Sequence, residues 1–295
     1  MPSAISNLIK SQPIHFHAIE DHHLQDAPCL SEINFDEIIH YLQENSETLK
    51  DSINDLMNES RSRVTANIKQ VERPDFSQVH ECKNEICAVQ KVLGEKKGPM
   101  LLYLHHRYNI NSSHLTNVFA DPLGEQELSQ IIHAVKDFPE KYFQNLQDYK
   151  IIRFRQGRVR SGLSAHTRAS ESKGSIELFD PWTELSEFSM RTSLSHELAH
   201  LLARHILIED QAIDTSNQWL NLSGWKKIKD EFDELVWKPS AKTQFVSKYA
   251  KENPQEDFAE SLIAFRYRPS FLKKIHPEKY YFLKEYIFNN QEVCL

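Results

Sequence analysis

The chain has 295 residues, of which 40% are hydrophobic and 26% charged, a balance that supports a full core without disulfide staples and argues against long disorder. Its 42 acidic and 35 basic residues leave a net charge of −7, which argues against general electrostatic binding to nucleic acid or to an anionic membrane. No apolar run reaches the roughly 20 residues needed to span a bilayer. Met1 to His17 also lacks the basic start and apolar stretch of a cleavable secretory signal.

The seven glycines all fall between Gly94 and Gly224, so helical ends and a turn-rich middle are expected. His15, His17, His22 and His23 fit no standard ligand spacing and read as a polar terminal segment. Asn34 to Val71 holds neither Gly nor Pro. Phe35, Ile38, Ile39, Leu42, Leu49, Ile53, Leu56, Met57, Val64, Ile68 and Val71 follow helical spacing, which predicts one long helix or a helical pair ending before Pro74. Asn34 with Glu37 resembles a capping box. The four cysteines, Cys29, Cys82, Cys87 and Cys294, are scattered as in a cytosolic protein, not as a disulfide framework. His80, Cys82 and Cys87 provide three zinc-ligand types but no evident fourth, so a second, structural metal is not expected there. Gly94 to Pro99 reads as a loop, and His105-His106 as structural. The division expected is a helical N-terminal region, 1–115, for packing or partner binding, followed by a catalytic domain, 116–295.

Leu128, Ile131, Ile132, Val135 and Phe138 mark a helix that Pro139 ends. Ile152 and Phe154 then alternate with Arg153 and Arg155, and Ile176 and Leu178 alternate with Glu177, as in half-buried strands. Arg153, Arg155, Arg158, Arg160 and Arg168 make a basic stripe, read as a solvated hairpin face and alternatively as a subsite for acidic substrate segments. His166 is a further, weaker candidate for the lining of the cleft.

His196-Glu197-Leu198-Ala199-His200 carries the chemistry. Residues four apart share a helix face, so both imidazoles can address one metal ion, while Glu197 sits one step around, in reach of a water and able to act as general base. Such a pentapeptide arises by chance in roughly 6% of chains of this composition, so its context has to carry the reading. No Gly or Pro interrupts Thr183 to Ser223, and Leu194, Leu198, Leu201 and Leu202 form an apolar stripe that buries such a helix. A catalytic site needs a third protein ligand. Asn253-Pro254 is a helix start, and Glu256 and Glu260 then share a face. One can bind the metal while the other holds a ligand histidine by its free ring N–H. Spacing alone does not choose between them, and Glu256, at the third helical position, is equally placed to complete a capping box. No Cys/His or Ser/His pair forms a recognisable nucleophilic motif.

The His-Glu-x-x-His helix followed by a glutamate on a later helix resembles the gluzincin metallopeptidases. Tyr249 seven residues before Glu256, then Phe258, Ala259 and Glu260, and a tail with Pro277, Tyr281, Phe282, Ile287 and Phe288 resemble more closely the catalytic domain of anthrax lethal factor and related toxin and effector peptidases, over roughly residues 120–295. The resemblance implies a mostly helical α+β fold, with a zincin-like domain built on a small sheet and an active-site helix. It implies one zinc ion held by His196, His200 and Glu256, with Glu260 behind a ligand histidine, Glu197 as base and Tyr249 as donor to the oxyanion. It also implies that the strand near Ile176 is the edge strand lining the cleft and pairing with an extended peptide. The 55 residues between His200 and Glu256 exceed the connection in compact gluzincins.

The expected activity is therefore zinc-dependent hydrolysis of a protein or peptide substrate. The alternatives are an inactive zinc-site protein acting as a helical interaction module, and a small-amide hydrolase. The intact Glu197 favours catalysis, because a purely structural site has no use for it. A cytoplasmic enzyme and an effector secreted or translocated without a cleavable signal are both consistent with the sequence. Nucleic acid and a membrane span are not expected, and the oligomeric state is open.

Overall fold

The computed structural model describes residues 34–65, 79–111, 120–121, 123–144, 146, 149–154, 165–169 and 174–291. The N-terminal histidines and Arg155, Arg158 and Arg160 lie outside these residues, and His166 and Arg168 are described in backbone only.

The described chain is mostly helical with small sheets, as an α+β protein should be. Of the two expectations, one long helix or a pair, the chain forms a pair, α1 (Phe35–Glu44) and α2 (Lys50–Thr65); Ile68, Val71 and Pro74, where the helical run is expected to end, lie outside the described residues. The Asn34 side chain caps α1 by accepting from the Asp36 N–H. α3 (Glu85–Leu93) and α4 (Lys97–Tyr108) follow. Gly98 lies inside α4 and not in a loop, for a packing reason: a Cβ there would stand 2.6 Å from the Val89 carbonyl oxygen of α3. Next come β1 (Ile110–Asn111), β2 (Ala120–Asp121), α5 (Glu125–Lys136), α6 (Lys141–Gln144), β3 (Tyr149–Phe154), β4 (Ala165–Ala169), β5 (Gly174–Phe179) and α7 (Asp180–Thr183). β1, β3, β5 and β4 lie in that order, with β2 also on β3. β3 runs parallel to β5, and β4 antiparallel to it.

Three sequence readings are corrected here. Ile176 lies in β5, an inner strand; among the described residues the strand beyond it, at that end of the sheet, is β4. The parallel β3–β5 pairing needs a crossover, and β4, on that crossover, folds back on the far side of β5. The buried side of β3 is that of Tyr149 and Ile151, one residue out of phase with the Ile152/Phe154 alternation; Arg153 turns instead to Glu127 and Asp180. Cys82 and Cys87 are joined to each other in a disulfide, so these two thiols are neither unpaired nor available to a second metal. His105-His106 is structural as expected: His106 meets the Tyr41 and Thr48 hydroxyls through its two ring nitrogens.

The long helix α8 (Glu187–His205) packs against α5, α10 (Pro254–Tyr267) and β4. Ser186 caps it by accepting from the Ser189 N–H, and its stripe of Leu194, Leu198, Leu201 and Leu202 is fully buried. Between α8 and α10 lie β6 (Leu207–Ile208), β7 (Gln211–Ala212), α9 (Asn217–Ser223), β8 (Trp225–Lys229) and β9 (Leu235–Pro239). α11 (Pro269–Ile275) and α12 (Pro277–Tyr286) complete the described chain. One continuous core runs from Ile38 of α1 to Phe288 beyond α12, so the helices before residue 116 and those after it bury their apolar faces together.

Candidate metal centre

Two helices build the site. α8 presents His196 and His200 on one face, one turn apart. α10 starts at Asn253, whose side chain accepts from the Glu256 N–H at 2.9 Å. Asn253 thus caps the helix while the Glu256 carboxylate turns away toward the imidazoles, so its position at the third helical residue serves the site. Glu256 Oε2 lies 3.0 Å from His196 Nε2 and 3.1 Å from His200 Nε2, and the two Nε2 atoms are 3.1 Å apart. These three residues can hold a metal ion.

The donor set passes a test of fit. Two neutral imidazole nitrogens and a carboxylate oxygen are all acceptors, and acceptors crowd together only around a shared proton or a cation. A tetrahedral ion with bonds of about 2.0–2.1 Å needs its donors roughly 3.3 Å apart, close to the spacing seen. On the far side of the ring, His196 Nδ1 donates to Glu260 Oε1 at 2.9 Å, leaving the Nε2 lone pair aimed at the centre. In the metal-free chain burial opposes a charge on His196, but its hydrogen bonds to Glu256 and Glu260 outweigh it and push the pKa up to about 10, so His196 holds a proton there that a bound metal ion displaces. Burial acts against the charge on Glu256 too, yet the two histidines hold its carboxyl well below the usual carboxylate range.

The centre opens into a cavity of about 510 Å³ lined by His196, Glu197, His200, Tyr249 and Glu256, and beyond them by Arg204, Ala212, Asp214, Thr215, Asn253 and Gln255. His196 and Glu197 are buried at 2% and 4% exposure, while the side chains of His200 and Glu256 each keep 16%. The ring centroid of Tyr249 lies 5.5 Å from that of His196. Burial first, then Glu256, raises the Tyr249 pKa above its ordinary value, so its hydroxyl keeps its proton. His196, Glu197, His200, Tyr249 and Glu256 therefore stand together at this one centre, with Glu260 behind it.

Sequence reasoning missed Arg204 and Asp214. Arg204 was within reach of the same argument, since it continues the four-residue spacing of His196 and His200 along α8. Asp214 sits in a short turn after β7 with no motif to announce it. Burial raises its carboxyl pKa, and the positive fields of His200 and Arg204 oppose that rise. Glu197 also has a neighbour no motif indicated: its charge acts on the buried Tyr149 hydroxyl of β3. Tyr149 occupies space that Gly174 leaves open, for a Cβ at 174 would come within 2.3 Å of its ring.

No family model matches the chain, and no match is found among curated proteins or solved structures.

Proposed function

We propose that the protein is a zinc-dependent endopeptidase of zincin-like architecture, with the zinc held by His196, His200 and Glu256. The observation that carries this reading is the convergence of three acceptor atoms within 3.0–3.1 Å of one another, on a cavity wall that also bears Glu197 and Tyr249. Two imidazoles and a carboxylate suit zinc, and a three-residue set leaves a coordination position for chemistry. A zinc ion there would polarise the scissile carbonyl and make water nucleophilic at neutral pH.

The chain's own groups do the rest. Glu197 takes a proton from the attacking water and passes it to the leaving amine as the C–N bond breaks. Tyr249 donates its hydroxyl to the carbonyl oxygen as that atom gains negative charge. Glu260 holds the His196 ring in one tautomer throughout. β4, at the edge of the sheet and packed beside α8, supports an extended peptide substrate added along that edge.

The test pairs metal analysis with one substitution. Wild-type protein dialysed against metal-free buffer should keep near one zinc per chain by elemental mass spectrometry; near zero in a folded protein would refute the metal reading. Glu197→Gln should keep the zinc and lose about 10²–10⁴-fold in hydrolysis of a quenched-fluorescence peptide library. Normal turnover in that variant would remove Glu197 from the mechanism.

A further inference from the structure

Between α9 and α10 the chain builds a two-stranded sheet of its own. β8 and β9 pair only with each other among the described residues. Phe232 at its tip is 76% exposed, Leu235 65% and Ile228 37%, an uncommon display of large apolar side chains. The acidic tip, Asp230, Glu231, Asp233 and Glu234, follows a basic stem with Lys226, Lys227, Lys229 and Lys238.

The ladder fixes which backbone groups face out. The Asp230 N–H donates to the Glu234 carbonyl at 2.9 Å, and the Ser240 N–H to the Gly224 carbonyl at 2.8 Å. Register places Ile228 opposite Val236 and Lys226 opposite Lys238. By alternation, Glu234, Val236 and Lys238 turn their backbone groups inward to β8, while Leu235 and Trp237 turn theirs to the open edge. Such an edge is a template for another strand.

Glu234-Leu235-Val236-Trp237-Lys238 is complementary to itself. Run antiparallel about Val236, it sets Leu235 against Trp237 of a second copy, Val236 against Val236, and Glu234 against Lys238. This register joins outward backbone groups to outward ones, makes two symmetry-related ion pairs, and matches an exposed leucine to an indole. We propose that β9 pairs with β9 of a second copy of this chain across a two-fold axis, merging two hairpins into one four-stranded antiparallel sheet. Pro239 has no N–H to extend the pairing, and a two-fold contact closes on itself, so the product is a dimer and not a fibre. The contact is small, which places association in the micromolar range.

Sedimentation velocity of the full chain from about 1 to 100 μM should show the mass rising from 34.5 kDa toward twice that value. Leu235→Pro removes an outward N–H and leaves the inner ladder intact, so it should abolish the rise. Glu234→Lys and Lys238→Glu should each weaken association about tenfold, and the two together should restore it by exchanging the charges. Circular dichroism and metal content establish that each variant is folded. A wild-type chain that stays monomeric throughout, as it would if the hairpin served a substrate instead, overturns the proposal. So does a dimer that survives Leu235→Pro and both single charge reversals.

Discussion

Asp137, at the C-terminal end of α5, carries the contact that fixes α8 against α10, and Asp137→Ala tests how much that contact is worth. Its carboxylate accepts from Arg191 Nε of α8 at 2.7 Å, from a second Arg191 nitrogen, from Arg266 of α10 and from the Tyr267 hydroxyl. Tyr267 in turn meets the Ser195 hydroxyl at 2.8 Å, one residue before His196. The side chains of Asp137 and Arg191 are 1% and 4% exposed. Removing the carboxylate strands a buried guanidinium, a loss of about 3–5 kcal/mol. For a chain of this length that lowers Tm by about 5–8 °C.

The assay is thermal unfolding followed by circular dichroism. The double replacement Asp137→Leu with Arg191→Met should cost less than Asp137→Ala, because it removes the charge that the single change abandons. Metal affinity should fall with Asp137→Ala, since the network sets the approach of the helices whose side chains converge at the centre. A Tm within about 2 °C of wild type would refute the reasoning and show that water reaches the guanidinium.

Other perturbations read separate parts of the same account. Glu260→Gln removes the charge behind His196 and should weaken zinc binding about 10–100-fold, measured by competition with a chromophoric chelator; unchanged affinity would mean the Nδ1 contact does not tune the site. Chelation should leave the helical spectrum intact, and zinc restored at about 100 times its Kd should add about 2.7 kcal/mol of stability, or about 4 °C in Tm; no shift in a melt with and without zinc would count against a native site. Gly98→Ala drives a Cβ toward the Val89 carbonyl and should cost about 1–3 kcal/mol. Because the N-terminal helices share the core, that loss should appear as a single shifted transition, and a wild-type melt would show that α4 yields.

What could be read from the sequence was what is local. The spacing of His196 and His200 is a property of one helix, and so is the cap at Asn253. The choice between Glu256 and Glu260 was not local, because both lie on one face of α10; the fold separates them by placing one carboxylate at each end of the same imidazole. The phase of β3 was hidden because Ile151 and Ile152 are adjacent, and strand periodicity favours neither. The place of β4 at the edge depends on a crossover no residue pattern encodes. The Cys82–Cys87 bond follows from the turn at Val79–Glu81 and the capped start of α3 at Asn84, which bring the two Cα atoms to 5.4 Å. Arg191, Asp137 and Tyr267 are far apart in sequence, and only packing shows that they share one carboxylate.

The long connection between His200 and Glu256 acquires a physical role at the start of α10. Trp219 of α9 is fully buried and donates its indole N–H to the Pro254 carbonyl at 3.1 Å. Trp225, at the base of the hairpin, donates to Asp257 Oδ2 at 3.0 Å. Lys279 of α12, itself fully buried, pairs with the other oxygen of the same carboxylate. Pro254 and Asp257 are thus each held, and Glu256 lies between them with its carboxylate directed at the histidines. A ligand on a first helical turn would otherwise fray with it. Buried hydrogen bonds from both tryptophans bear on that turn, so the connecting segment positions Glu256 as well as displaying a hairpin. The two roles separate by position along the segment: its anchors at Trp219 and Trp225 hold the first turn of α10, while its open edge at Leu235 and Trp237 begins ten residues beyond the second anchor.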